Sequence, residues 1–369
     1  MTADRLARLR AALRAAAVDA LVVTHPPNIQ YLTGLRASAG AVLLTTDRCV
    51  LVVDFRYAEA ARSCAAALAG GEVTLAAGAL DDAIAEAVGT GAPTRVGIEA
   101  DHLPVARFNR LAGLLASSAP LPMDDSVPAV LVSTQRLVER LRAVKDAEEC
   151  ATLREAARRL SAVARRLREW VEPGRTEAEV AASIDAALRD AGFERTAFDT
   201  IVASGPNSAL PHARPTGRRL SRGDGVVLDF GGVYDGYCVD LTRTLHLGPP
   251  SDAFRRIFDA VREAHAAALQ AVVPGALPAE IDAAARGVLE RHGLGEAFGH
   301  GTGHGLGVEV HEEPRISRHA PAGEPIVPGM VFTIEPGAYV PGSGGVRIED
   351  DVLVREDGCE LLTHVPIEF

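Results

Sequence analysis

The chain has 369 residues, with 38 Lys and Arg against 49 Asp and Glu for a formal net charge of −11; 47% of the residues are hydrophobic and 24% charged. That composition describes a globular chain long enough for two domains of ~100–200 residues each, and excludes a disordered one. The acidic balance speaks against nucleic acid or an anionic membrane surface as the main partner, and no apolar run reaches the ~20 residues that span a bilayer.

The first residues, MTADRLARLRAALRAAA, are a charged amphipathic segment and not a signal peptide. Short apolar runs follow at 20–24 (ALVVT), 41–45 (AVLLT) and 50–54 (VLVVD), and these predict β-strands. Helical periodicity appears at 56–68, 81–88 and 105–116. Strands alternating with helices predict an α/β N-terminal domain over residues 1–130. The charged stretch 131–146, ending TQRLVERLRAVKD, predicts a helical connector, which leaves 147–369 as a second domain. The cysteines (Cys49, Cys64, Cys150, Cys238, Cys359) are scattered and lack CxxC spacing, so neither a disulfide framework nor a thiolate zinc site is expected, and a reducing cytoplasm is the expected location.

The second domain contains an internal repeat. VEPGRTEAEV at 171–180 is matched by VVPGALPAEI at 272–281, and Gly192 by Gly293 at the same offset. Farther on, GDGVVLDFG at 223–231 is matched by GMVFTIEPG at 329–337. Each copy predicts helix, helix and strand about a pseudo-two-fold axis. Thr176 with Glu179 forms a capping box, and Gly192 and Gly293 fall at helix C-caps. Each strand carries a carboxylate at the same place, Asp229 in one copy and Glu335 in the other.

Both strands lead into hairpins. A turn centred on Tyr234–Asp235 sets Asp229 opposite Asp240, and one centred on Gly342 sets Glu335 opposite Glu349, within ~5.5 Å at Cα in a regular ladder. Acidic groups paired in apolar strands repel one another and lose hydration. Arg243 and Arg347 offer one form of compensation, a structural salt-bridge network. A pair of divalent cations ~3.5–4 Å apart fits better, because carboxylates can bridge two such ions.

Imidazoles are at hand. FGHGTGHGLG places His300 and His304 in a run so rich in glycine that backbone and substrate can approach closely, and it contains no phosphate-cradling GxGxxG or GxxxxGK pattern. His311 follows in VEVHEEP, and His212 lies in GPNSALPH. Carboxylates with a single imidazole suit a hard ion such as Mn(II), with Co(II) or Zn(II) able to substitute.

At these residues the chain resembles the pita-bread metallopeptidases, the family of methionine aminopeptidase, aminopeptidase P and prolidase. LDFGG, DLTRT, GHGTGHGLG, TIEPG and VRIEDD match the family's phrases in order and spacing over roughly residues 145–369. NIQYLTG at 28–34 and DFRY at 54–57 resemble the extra N-terminal domain of the prolidase, aminopeptidase P and creatinase branch, which methionine aminopeptidases generally lack. The resemblance implies an α+β protein, a C-terminal pita-bread fold preceded by a smaller creatinase-like α/β domain. It implies two metal ions held by Asp229, Asp240, His304, Glu335 and Glu349. Creatinase lacks the complete set, which counts against it.

The implied activity is hydrolysis of the Xaa-Pro bond in dipeptides or at peptide N-termini, prolidase being favoured over aminopeptidase P. In that reading Glu335 also moves the proton, His212 and His311 hold substrate and oxyanion, and His300 and Arg347 shape the pocket around proline. A homodimer is implied as well, with a proline-containing di- or oligopeptide as substrate. Two alternatives share the fold, a hydrolase or lyase of a small non-peptide compound and a non-catalytic binding protein.

Overall fold

Burial decides which of the predicted runs become central strands. A computed structural model describes residues 2–91, 93–117 and 129–368, and the chain divides into two units, 1–142 and 143–369. The first unit runs α1 (Thr2–Ala15), β1 (Ala20–Val23), α2 (Pro26–Thr33), β2 (Ala41–Thr45), β3 (Cys49–Val53), α3 (Ala58–Ala66), β4 (Gly71–Leu75), α4 (Leu80–Gly91), β5 (Arg95–Glu99), α5 (Val105–Ser117), β6 (Val130–Thr134) and α6 (Leu137–Ala143), the last ending at the junction. Its strands form one mixed sheet in the order β4-β3-β2-β1-β5-β6. The continuous apolar runs β1, β2 and β3 are buried along their whole length, as strands covered on both faces must be. Ile84, Val88, Leu111 and Leu115 of α4 and α5 share a core with Val22, Leu43, Val50, Val52 and Ile98.

The stretch expected as a helical connector opens differently. Residues 130–134 are β6, an edge strand parallel to β5, and the helix begins only at Leu137. VLVST is β-branched at three of its five positions, so sheet pairing outcompetes the helical pattern that follows it.

The second unit runs α7 (Ala147–Ala164), α8 (Leu167–Trp170), α9 (Glu177–Asp190), β7 (Arg195–Thr196), β8 (Ile201–Ser204), β9 (Gly225–Tyr234), β10 (Tyr237–His246), α10 (Asp252–Ala271), α11 (Pro278–Arg291), β11 (Gly303–Gly305), β12 (Glu312–Ile316), β13 (Val331–Ile334), β14 (Gly337–Val340), β15 (Gly344–Arg347), β16 (Asp350–Arg355) and β17 (Gly358–Leu361). The repeat is visible in it as two half-cores. Leu153, Leu160, Val180 and Ile184 of α7 and α9 pack on Leu228, Phe230, Val239 and Leu241 of β9 and β10. Phe258, Val261, Ile281 and Leu289 of α10 and α11 pack on Phe332, Ile334, Val352 and Val354 of β13 and β16. The matched glycines share the left-handed backbone that favours this residue: Gly174 (+94°) with Gly275 (+90°), Gly192 (+87°) with Gly293 (+71°), and Gly223 (+94°) with Gly329 (+90°). Thr176 and Glu179 close the expected capping box. In the second copy Leu277 has no side-chain acceptor, and only the Glu280 half of the box forms.

Glu177, the first residue of α9, is buried and its carboxylate accepts from Ser204 N and Oγ, Thr216 N and Oγ1, and Asn207 Nδ2. Burial acts to raise its pKa, but the bonds from Thr216, Ser204 and Asn207 together outweigh that and hold it below its ordinary value of 4.5. A carboxylate with a lowered folded pKa stabilises the protein above its unfolded pKa, and this contribution is lost as pH falls through the folded value. Glu177→Gln is therefore expected to cost about 2–3 kcal/mol at neutral pH, through donors left unmatched. Chemical denaturation across pH should show the gap from wild type widest above pH 4.5 and narrowing below it. A gap that does not change with pH would contradict this account.

Candidate metal centre

Strand alternation builds one side of the site. On β9 and β10 the residues Leu228, Phe230, Val239 and Leu241 face the helices, so Asp229, Asp240 and Thr242 point to the opposite face. Their register differs from expectation: Asp229 stands opposite Thr242, and Asp240 opposite Gly231. The turn is Asp235-Gly236 instead of Tyr234-Asp235, because a two-residue turn of this kind needs positive φ at both positions, here +46° and +77°. The slip is by two residues, so both aspartates keep the same face.

The second hairpin follows the expected register. Ile334 pairs with Asp350 and Gly337 with Arg347, which sets Glu335 opposite Glu349 between the two ladders. Neither backbone N–H is used within the hairpin. Glu335 N donates to Thr302 O and Glu349 N to Thr242 O, which ties the second hairpin to the first and to the glycine-rich run. His304 lies on β11, where a Cβ on Gly303 would fall 1.8 Å from Thr333 O and one on Gly305 2.2 Å from Glu313 O. Only glycine beside His304 lets β11 lie this close to its neighbours.

The side chains converge. His304 Nε2 is 3.6 Å from Glu335 Oε1 and 3.9 Å from Asp240 Oδ2. Donor atoms of Asp240, His304 and Glu349 all lie within 4.8 Å of one another. Asp229 is joined to the cluster through Arg347, whose Nη2 donates to its Oδ2. The Arg347 guanidinium also donates to Thr242 Oγ1, Tyr339 OH and Pro211 O. Arg243, the other expected counter-charge, instead pairs with Asp350 and donates to the carbonyls of Thr242, Glu349 and Val365.

Charge is unbalanced here. Burial, with the neighbouring carboxylates Glu349 and Asp229, pushes the Asp240 carboxyl well above the ordinary range. Burial and Glu335 do the same to Glu349, and Glu335 itself is pushed up to about 7, chiefly by burial, with Arg347 opposing. Asp229 Oδ1 and Asp240 Oδ1 are buried without a hydrogen-bond partner. His304 Nδ1 donates to Gly305 O at 3.2 Å, which leaves Nε2 with its lone pair aimed at the carboxylates. Burial, then His311, lowers its pKa to about 4, so the ring is neutral. Unpartnered buried oxygens, carboxylates that resist sharing one space and a neutral imidazole lone pair form a donor set that fits divalent cations.

The remaining predicted residues surround this cluster. His311 is exposed, its ring edge-on to His304 at 4.4 Å between centroids. His212 is also exposed, near enough to act electrostatically on His300 and His311. His300 uses both ring nitrogens within the protein, Nδ1 on Gly301 O and Nε2 on Tyr339 OH, and burial lowers its pKa to about 4. Since Arg347 donates to Tyr339 OH, the hydroxyl proton goes to His300, which fixes that ring by a relay. Sequence reasoning missed Tyr339 and Thr242. The signal was strand parity: Tyr339 has the parity of Glu335, and Thr242 that of Asp240.

Residues 151–356 match the family Metallopeptidase family M24, and residues 5–144 match the Creatinase/Prolidase N-terminal domain. The Xaa-Pro dipeptidase of Pyrococcus furiosus is 32% identical, covering 99% of each chain. Among solved structures, an Xaa-Pro dipeptidase from Bacillus anthracis superposes with a TM-score of 0.92 at 35% identity, over 100% of this chain and 99% of that one. An X-Pro aminopeptidase from Thermotoga maritima does so with 0.84 at 32% identity, over 96% and 98%. By family match and by these end-to-end likenesses, the chain belongs to metallopeptidase family M24, with a pita-bread C-terminal domain behind a creatinase-type N-terminal one.

Proposed function

We propose that this protein hydrolyses the Xaa-Pro bond of dipeptides, as an Xaa-Pro dipeptidase. The observation that carries the reading is the convergence of Asp240, His304, Glu335 and Glu349, with Asp229 held beside them by Arg347. Relatives named as dipeptidases support it end to end. These names do not favour a non-peptide hydrolase or a non-catalytic binding protein.

Asp229, Asp240, His304, Glu335 and Glu349 would hold two divalent cations, with manganese the best match to an oxygen-rich set and cobalt or zinc able to replace it. Such ions, when bound, supply Lewis acidity towards a carbonyl and acidify water near neutral pH. The protein supplies the rest. Glu335 takes the proton of the water that adds to the scissile carbonyl, holds it on a carboxyl oxygen, and passes it to the proline nitrogen as the C–N bond breaks. His212 and His311, both exposed, hold the substrate and the oxyanion of the tetrahedral intermediate. His300 has no free nitrogen, so its part is to shape the proline pocket together with Tyr339 and Arg347.

The test is product identification by mass spectrometry on Ala-Pro, Ala-Pro-Ala and Ala-Ala-Ala, with manganese and with a chelator. Cleavage of Ala-Pro alone, abolished by chelation, is expected. Release of Ala from Ala-Pro-Ala would make the protein an aminopeptidase, and no metal-dependent cleavage of any of them would refute the Xaa-Pro reading.

The protein is further read as a cytoplasmic homodimer. All five cysteines are free, which suits a reducing compartment, and among the described residues no helix is long and apolar enough to cross a membrane. Light scattering after size exclusion should give about twice 38.7 kDa, and a clean 38.7 kDa species would overturn the dimer.

A further inference from the structure

Lys145 and Glu312 form an ion pair, Nζ to Oε2 at 3.3 Å, with side chains only 1% and 4% exposed. Burying two charges costs hydration that their attraction repays only in part, so an apolar pair of similar size would serve stability as well. What an apolar pair could not do is close the loop in front of Glu312. Its other oxygen, Oε1, accepts from Glu309 N at 2.9 Å, and a Cβ on Gly307 would fall 2.5 Å from the carboxylate. The carboxylate therefore lies inside the turn 307–312, against a bare Cα, as an internal strap.

Both ends of the strap lead to the site. Glu312 pairs across the strands with Gly305, the residue after His304, at the point where the ladder shifts register. His311 immediately precedes Glu312, and its ring meets that of His304 at 4.4 Å. The loop's far side is tied to β10, where Cys238 N donates to Gly307 O at 2.7 Å, two residues before Asp240. Lys145 is itself anchored, its N–H on Gly329 O at 2.8 Å, and Val144 bridges to Met330, the residue just before β13. The ammonium thus references the loop to the strand that leads to Glu335.

We propose that the buried Lys145–Glu312 pair is a positioning device that sets the His304 and His311 rings relative to each other and to Asp240. The inference rests on the Xaa-Pro peptidase reading for its kinetic consequence, but not for its structural one. Glu312→Gln keeps an acceptor for Glu309 N–H but replaces the charged oxygen that faces Lys145 by an NH2 donor; Lys145→Met removes the other charge.

The first measurement is histidine ring NMR on the metal-free protein. The His304 and His311 signals should shift in both variants, while those of His292 and His319 on the surface stay in place. The second is steady-state hydrolysis of Ala-Pro. A drop in kcat/KM of ~10–100-fold is expected for each variant, the double variant being no worse than the poorer single one, with Lys145→Arg recovering most of the loss. Unmoved ring signals, or full kcat/KM in a variant that merely melts earlier, would overturn the proposal. Should Lys145→Met fail to fold, Glu312→Gln carries the same test. Should the wild type not cleave Xaa-Pro bonds, the functional reading fails and the NMR arm still decides this one.

Discussion

Glu349→Gln is expected to empty at least one metal position and to lower kcat/KM on Ala-Pro by ~1,000-fold or more. Glu349 sits where the hairpins meet: its N–H bonds Thr242 O, its carbonyl accepts from Arg243 Nη1, and its carboxylate accepts from Thr242 Oγ1. Glutamine fills the same volume and can keep the Thr242 contact, but it has one acceptor oxygen and no charge where two ions are to be shared. Burial and the charge of Glu335 already disfavour the ionised form of Glu349. The metal-free variant should therefore melt at or above the wild-type temperature, which separates a lost ligand from a damaged fold. Elemental analysis after dialysis, alongside calorimetry of the metal-free proteins, makes the check. Full metal content with full activity would show that Glu349 is not a ligand.

Arg347→Met is expected to act in the opposite direction on stability. The guanidinium is 4% exposed and is shared among Asp229, Thr242, Tyr339 and Pro211. Burial disfavours its charge, yet Tyr339, Asp229, Glu335 and Glu349 hold it firmly protonated. Methionine would fill much of the space while leaving Asp229 buried beside other carboxylates with no counter-charge. Removing one partner of such a pair costs about 3–5 kcal/mol, or about 10 °C in a domain of this size. The relay to His300 would also lose its first member, so activity should fall ~100-fold even where the protein remains folded. Lysine should restore part of the stability and little of the activity, because a single ammonium cannot serve four acceptors placed around a planar fork. A methionine variant melting within a degree or two of wild type would mean that Arg347 compensates nothing.

Local rules made much of the fold legible. The runs at 20–24, 41–45 and 50–54 are apolar and β-branched, which predicts strands, and they form β1, β2 and β3 within a residue at either end. Edge elements were not legible: β4 (GEVTL) is half exposed along its length, and β6 lies against a charged helical pattern. Their state is set by pairing with β3 and β5, which no window of their own sequence contains. The short α2 was visible only as a motif, since eight residues that begin with two prolines show too little periodicity.

The site divides in the same way. Alternation along a strand is a local property, so the sequence by itself determined that Asp229 and Asp240 share one face and that Glu335 opposes Glu349. It also pointed to the class of chemistry, because carboxylates recurring at matched places in a repeat need compensating positive charge, which a pair of divalent cations fits better than two arginines. Only the tertiary structure decided that the turn is Asp235-Gly236, that Arg347 serves Asp229 while Arg243 serves Asp350, and that Tyr339 orients His300. It alone joins Lys145 to Glu312 across 167 residues. These are choices among partners equally permitted by residue type, and they are made by which backbones the two half-cores press together.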